Sequence, residues 1–213
     1  MISEKNFSLN TEKEPQIIIK RSMDAPPNVK QNPFYDEEFW GRANSPDDIY
    51  LPDSDEAISF AMAAHEIGHL VKEGERNDAR LDNFEATRAE EQRAWDKGWP
   101  YLIKYIDEYY QDRPEVIPKI HHAFEKIKIL IMQATDLGQD MYLDKNTLNN
   151  LSDEEIQSIQ VEKREKFFSE KGAAFKNIFN QVKEEKIGIK PDWDKFTAIV
   201  AKAVENILKD NKE

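Results

Sequence analysis

The chain has 213 residues, a formal net charge of -12 at pH 7 and no cysteine. Without cysteine, disulfides, thiolate metal sites and cysteine nucleophiles are excluded, and a reducing cytoplasm is the expected setting. The excess of acidic residues argues against a nucleic-acid-binding protein, because such proteins present a basic surface to the phosphates.

The N-terminal part of the chain predicts little regular structure. Residues 1–14 are polar and charged without hydrophobic periodicity, so we expect a flexible arm. Neither this arm nor any later run has the apolar pattern of a secretory signal or a membrane span, so we expect a cytoplasmic protein without membrane contact. Residues 16–20 and 48–51 predict two short strands. We expect the second strand to form a sheet edge that could pair with an extended peptide.

A buried helix is predicted over residues 54–73. Asp53 can serve as its N-cap, and Gly74 stands where a helix C-terminus favours glycine. Between these residues the sequence is apolar nearly all round, which is typical of a helix without a solvent-facing side. The helix also carries two histidines. Buried imidazoles need polar partners, and a metal ion would satisfy both.

The two histidines belong to an H-E-x-x-H motif at residues 65–69, the zinc-binding signature of metallopeptidases. Residues four apart share a helix face, so His65 and His69 can bind one zinc ion. Glu66 is placed to act on a water molecule as a general base. A catalytic zinc site has a third protein ligand and one open position. The motif therefore predicts zinc-dependent hydrolysis.

The rest of the chain is predicted to be helical. Pro100 should kink or break the first of these helices, because proline cannot donate the helical hydrogen bond. Gly172 should separate two further helices, and Ser152 with Glu155 fits a capping box. Helices are expected over residues 84–110, 115–134, 153–169, 173–186 and 192–209.

These elements predict a mainly α (α+β) fold. We expect a zincin-like metal helix, a small N-terminal β-sheet and a helical C-terminal half. Residues 15–110 would form the zincin-like catalytic core, and residues 111–213 would form a helical region packed on it in one compact unit. The length of the chain fits such a single unit.

The third zinc ligand is expected on the helix that begins near residue 84. Without cysteine, the candidates are carboxylates or a further histidine, and this helix offers Glu85, Glu90 and Glu91. Glu91 shares a helix face with Ala94 and Trp95, which points it inward. Glu91 is therefore favoured, and Glu90 is the alternative.

The segments at residues 64–70 and 91–95 resemble the ImmA/IrrE family of small bacterial and phage gluzincin-like metallopeptidases. The resemblance extends over about residues 47–98. It implies His65, His69 and Glu91 as zinc ligands and Glu66 as the general base. It also implies a peptide or protein substrate, and it suggests a role beside a helix-turn-helix repressor or in a stress or phage-immunity switch.

The sequence therefore predicts a zinc metalloendopeptidase in which Glu66 activates the attacking water. The alternative is a helical interaction or regulatory protein with a structural or vestigial zinc site. The developing oxyanion needs a hydrogen-bond donor, for which we consider two groups of residues. The candidates are His121, His122, Tyr101, Tyr105 and Tyr109. The spacing of the three tyrosines is more typical of core packing than of an active site. Neither the substrate nor the oligomeric state follows from the sequence.

Overall fold

The computed structural model describes residues 16–31, 35–72, 84–143 and 150–212. Within them the fold is mainly α-helical with one small N-terminal sheet, which confirms the predicted fold class. The predicted arm, residues 1–14, lies outside the described residues. The strands are β1 (Ile19–Arg21), β2 (Arg42–Ser45) and β3 (Asp48–Leu51). The α-helices are α1 (Pro27–Lys30), α2 (Glu56–Gly68), α3 (Phe84–Tyr109), α4 (Ile117–Leu137), α5 (Asp153–Glu184) and α6 (Trp193–Asp210).

The sheet has the strand order β1-β3-β2, with β3 in the centre. β1 pairs with β3 in parallel, and β2 pairs with β3 antiparallel. The strand predicted at residues 48–51 is therefore confirmed, but its predicted position at a sheet edge is wrong. The sequence analysis missed β2, because residues 42–45 lack the β-branched and aromatic side chains that are typical of strands. β2 takes an outer position through its pairing with β3.

α2 is buried along its whole length, as predicted, but it begins later than predicted. Its N-cap is Asp55, whose carboxylate accepts a hydrogen bond from the backbone N–H of Ala57 at 3.0 Å. The predicted cap, Asp53, instead pairs with Arg21 at 2.6 Å. Both aspartates stand close to the helix start, so sequence spacing alone could not choose between them.

α2 also ends earlier than predicted, at Gly68. Leu70 and Val71 are still buried, although they are no longer helical. The guanidinium group of Arg93 on α3 donates hydrogen bonds to the carbonyl oxygens of Gly68 and Val71, at 3.4 and 2.7 Å. A side chain from another helix thus satisfies carbonyl groups at the helix end, where the backbone has no partner of its own.

Two predicted helix interruptions are absent from the structure. α3 continues through Pro100 without a break, which leaves only the kink of the predicted kink or break, and α5 continues through Gly172 as one helix, so the predicted separation there is wrong. Buried side chains lie close to both positions, including Leu102 on α3 and Phe167 on α5. Packing of a helix against the core outweighs a local proline or glycine penalty of about 1–3 kcal/mol. The capping box of Ser152 and Glu155 at the start of α5 is confirmed.

One hydrophobic core includes side chains from the sheet and from the five longer helices. Fully buried examples are Ile49 on β3, Phe60 on α2, Trp95 on α3, Ile127 on α4 and Phe196 on α6. α2 packs most extensively against α3 and α4. Within the described ranges, no helix combines the length and the apolar composition that a membrane crossing requires.

Candidate metal centre

α2 and α3 cross so closely that side chains from both helices meet. Gly68 on α2 lies against Ala94 on α3, and Gly98 on α3 lies against Ala64 on α2. A β-carbon at either glycine would overlap the carbonyl oxygen of the facing alanine. Glycine at these two positions therefore permits backbone-to-backbone contact. This close approach brings Glu91 of α3 within reach of the two histidines of α2.

Three donor atoms converge at this crossing. Oε2 of Glu91 lies 3.2 Å from Nε2 of His65 and 4.0 Å from Nε2 of His69, and the two imidazole nitrogens are 3.3 Å apart. Two ligand atoms bound to one tetrahedral zinc ion at about 2.1 Å would themselves lie about 3.4 Å apart. His65, His69 and Glu91 thus form a group that could hold a metal ion.

Glu90 contacts a different atom of His69. Its Oε1 lies 3.2 Å from Nδ1 of His69, the ring nitrogen that does not face the other two donors. Arg93 donates to both oxygens of Glu90, at 2.5 and 2.8 Å. Burial acts to raise the pKa of Glu90, but the hydrogen bonds from His69 and Arg93 lower it to about 2. Glu90 is therefore an anion that orients the His69 ring, whereas Glu91 faces the cluster of donor atoms.

His65 is positioned by an aromatic ring. The side chain of Trp95 is stacked on the imidazole, with the ring centroids 4.4 Å apart and the planes 29° from parallel. Nδ1 of His65 and Nε1 of Trp95 are both buried, and neither has a hydrogen-bond partner among the described residues. The sequence analysis used Trp95 only to orient the helix face, so its contact with a candidate ligand is a finding of the structure.

Glu66 lies beside the donor atoms and is only 6% exposed. The backbone N–H of Ala43 in β2 acts to lower the pKa of the Glu66 carboxyl group. Gly41 packs against the same side chain, because a β-carbon at Gly41 would lie 2.7 Å from Cγ of Glu66. Burial raises the pKa of Glu66 to about 7, with a further rise from the charge of Glu91. A cation at the donor atoms would oppose this rise.

An open cleft of about 680 Å³ contains the candidate ligands. Its volume is in the range of small-molecule and peptide sites. One wall consists of residues 40–44, which include most of β2. A second wall comes from α4, the turn that follows it, and α5. That wall is lined by Ile131, Ala134, Thr135, Gly138, Met141, Tyr142, Phe175 and Phe179.

The tyrosines considered as oxyanion donors lie outside this cleft. Tyr101 donates a hydrogen bond to Asp210 at 2.7 Å, and the hydroxyl of Tyr105 accepts one from Asn206, both on α6. The hydroxyl of Tyr109 donates a hydrogen bond to the carboxylate of Glu56, the first residue of α2. The three side chains therefore join α3 to α6 and to the start of α2. This arrangement agrees with the packing role that their spacing favours.

The paired histidines of α4 are also outside the cleft. The ring of His121 contacts that of Trp99, with the centroids 5.2 Å apart, and His122 is exposed. The tyrosine that does line the cleft is Tyr142. It follows α4 in an irregular segment, so no helical or strand period marked it in the sequence. Gly41 is a second cleft residue that no sequence signal identified.

Comparisons with known proteins add no further constraint: no family model, no curated protein and no solved structure matches this chain. The similarity to the ImmA/IrrE family therefore depends on the motif residues alone and stays a prediction.

Proposed function

We propose that this protein is a zinc-dependent metallopeptidase with a gluzincin-like set of ligands. His65, His69 and Glu91 would bind the zinc ion, and Glu66 would be the general base. The observation that carries this proposal is the convergence of three donor atoms in an open cleft, beside a further buried carboxyl group. A structural zinc site usually has four protein ligands in a closed environment, whereas the described residues supply three.

The donor set favours zinc over the harder cations. Two imidazole nitrogens and one carboxylate suit Zn²⁺, while Ca²⁺ and Mg²⁺ prefer oxygen ligands throughout. When bound, zinc would polarise the carbonyl of a peptide bond and make a water molecule more acidic. Glu90 would keep His69 in the tautomer whose Nε2 can bind the ion, since its carboxylate accepts a hydrogen bond from the N–H at Nδ1.

Glu66 would transfer the proton in the reaction. Its carboxylate would take a proton from the attacking water as the oxygen bonds to the carbonyl carbon. The same group would return that proton to the nitrogen as the C–N bond breaks. The close approach of Gly41 to the side chain would hold the carboxyl group in place, so that it need not reorganise between the two transfers.

An extended peptide would bind along β2. This strand is an outer strand of the sheet, and three of its residues line the cleft. Unpaired backbone groups at a sheet edge can form hydrogen bonds with an added strand. β2 therefore takes the peptide-binding role that was predicted for residues 48–51. The substrate would be a peptide or protein of the cytoplasm, and an ImmA/IrrE-like regulatory role is part of the same proposal.

The test combines metal analysis with a cleavage assay. Protein purified without chelators or affinity metals should contain one zinc ion per chain, and both His65→Ala and Glu91→Ala should lose it. Glu66→Gln should keep the zinc and cleave no peptide, because it retains the shape of the side chain without the basic oxygen. Glu85→Gln is the matched control, since Glu85 is an exposed carboxylate at the start of α3.

Two results would contradict the proposal. Wild-type protein without metal would refute the zinc site. Stoichiometric zinc together with cleavage that Glu66→Gln leaves unchanged would refute the assigned mechanism. Zinc that raises the unfolding temperature but supports no hydrolysis would instead favour the alternative of a structural site in a helical interaction protein.

A further inference from the structure

The cleft wall formed by α4, the turn after it and α5 includes five apolar side chains, two of them phenylalanines. Ile131 and Ala134 come from α4, Met141 comes from the turn after α4, and Phe175 and Phe179 come from α5. We refer to these five side chains as the apolar wall. They line the same cleft as the candidate zinc ligands, so a bound peptide would contact both. The apolar wall is built from the C-terminal half, outside the segment that carries the metal motif.

The aromatic rings of the apolar wall are held by their neighbours. The rings of Phe175 and Phe179 lie 4.7 Å apart, and Phe179 lies 5.4 Å from the buried ring of Phe39. Phe175 also contacts the buried ring of Phe167 at 5.6 Å. Phe175, Phe179 and Ile131 are nevertheless only partly buried. They form a preorganised apolar surface, which loses little conformational freedom when a ligand binds.

The size and the charge of the cleft restrict what can occupy this surface. A cleft of about 680 Å³ can enclose side chains of a short extended segment but not a folded partner. Glu66, Glu90 and Glu91 line the same cleft. An acidic side chain would meet like charges there, whereas an apolar one would be removed from water against the aromatic rings.

We propose that the apolar wall is a specificity subsite for a bulky apolar side chain next to the scissile bond. The main chain of the peptide would lie along β2, and a side chain of the size of leucine, methionine or phenylalanine would contact Ile131 and Phe175. The substrate class is therefore a peptide segment with a large apolar residue at the cleavage site and few acidic residues around it. This inference rests on the proposed function and adds the substrate class to it.

Two substitutions change the volume of the subsite in opposite directions. Ile131→Phe fills it, so the preference should move to small side chains such as alanine. Phe175→Ala enlarges it, so larger side chains such as tryptophan should be accepted. Ile129→Phe is the matched control, because Ile129 is on the same helix, is 55% exposed and does not line the cleft. Zinc content and unfolding temperature should be measured for each variant, and Ile131→Phe alone tests the subsite if Phe175→Ala does not fold.

The probe is a synthetic peptide mixture that contains every pair of residues, with the cleavage sites identified by mass spectrometry. Wild type should favour a bulky apolar residue over alanine by about tenfold or more, since one or more methylene groups change specificity by that factor. Ile131→Phe should remove this preference, and Ile129→Phe should keep it. In calorimetry, the Glu66→Gln protein should bind a leucine-containing peptide about tenfold more tightly than its glycine analogue.

The outcomes separate the two proposals. Cleavage that depends on Glu66 but shows no preference for bulky apolar residues would overturn the subsite and leave the metallopeptidase proposal intact. A preference that Ile131→Phe does not change would also overturn the subsite. The absence of any cleavage that depends on Glu66 would overturn the proposed function, and the subsite would fall with it.

Discussion

Glu90 and Glu91 are neighbours in the sequence, but they face different atoms of the candidate centre. Glu91 directs an oxygen toward Nε2 of His65, at 3.2 Å, and it belongs to the group that could hold a metal ion. Glu90 contacts Nδ1 of His69 through Oε1 and accepts hydrogen bonds from Arg93 at both of its oxygens. Metal-binding histidines commonly donate their second ring N–H to a carboxylate in this way. The two glutamates are therefore expected to respond differently to substitution.

Glu90→Gln should weaken zinc binding by about 10–100-fold without abolishing it, which is the usual effect of losing an outer hydrogen-bond partner of a ligand. The amide keeps the size of the side chain but removes the charge that orients His69. Competition with a fluorescent chelator would measure the affinity, with Glu85→Gln as the control. An affinity equal to that of wild type would show that Glu90 does not support His69, and a complete loss of zinc would indicate that Glu90 is itself a ligand.

The sequence predicted the histidine pair of the site better than its surroundings. The spacing of His65 and His69 places both rings on one helix face by the period of the helix alone. The helix period also favoured Glu91 over Glu90, because Glu91 shares a face with apolar residues. The crossing of α3 over α2, which sets the distances between the donor atoms, could not be predicted from the period of a single helix. Gly41 gives no periodic signal either, because it precedes a strand without a strand-like composition.

The crossing of α2 and α3 determines the position of the third candidate ligand. Gly68 and Gly98 let the two backbones touch, and Arg93 of α3 binds the carbonyl oxygens of Gly68, the last residue of α2, and of Val71. These contacts act at the same end of α2 as His69. The relative position of the helices is thus fixed where Glu91 meets the histidines, so a change in the crossing should affect metal binding as well as stability.

Gly98→Ala should destabilise the protein by about 1–3 kcal/mol, the usual cost of forcing extra volume into a well-packed core. The added methyl group would overlap backbone atoms of Ala64 and Gly68, which side-chain rotation cannot relieve. Urea unfolding would measure the change, and zinc affinity should fall with it because the helices must separate.

Gly172→Ala on α5 provides the matched control. A β-carbon there would make an ordinary contact with Phe168 at 3.5 Å. Alanine is favoured over glycine inside a helix by about 0.5–1 kcal/mol, so this variant should be more stable than wild type. A loss of stability in Gly172→Ala, or none in Gly98→Ala, would contradict the interpretation of these two glycines.

At the scale of elements, hydrophobic periodicity predicted helices reliably, whereas a single proline or glycine did not reliably predict where a helix ends. The bounds of α3 and α6 agree with the predicted helices to within a residue. Pro100 and Gly172 did not interrupt their helices, because burial of nearby side chains such as Leu102 and Phe167 stabilises both helices. This burial depends on the whole fold, so the local sequence did not predict it. β2 was missed for the converse reason, since its structure comes from pairing with β3 rather than from its own composition.

At the scale of the whole molecule, Asp55 joins the start of α2 to the segment between α5 and α6. Its carboxylate accepts hydrogen bonds from the backbone N–H groups of Ile187, Gly188 and Ile189, at 3.1, 2.8 and 3.2 Å, in addition to that of Ala57. Gly188 has a φ of 78°, a left-handed conformation that glycine adopts without strain. No pattern in the sequence links residues so far apart in the chain.

Asp55→Ala should lower the free energy of unfolding by about 2–4 kcal/mol, because it removes an N-cap and leaves four backbone N–H groups, including that of buried Ala57, without their acceptor. Asp55→Asn should cost less, since one carbonyl oxygen remains. The control is Asp53→Ala, which removes the ion pair with Arg21 and should cost about 1 kcal/mol or less. Urea unfolding of the three variants would compare them. If Asp53→Ala cost as much as Asp55→Ala, the cap predicted from the sequence would be the functional one, and α2 would not depend on the C-terminal half for its start.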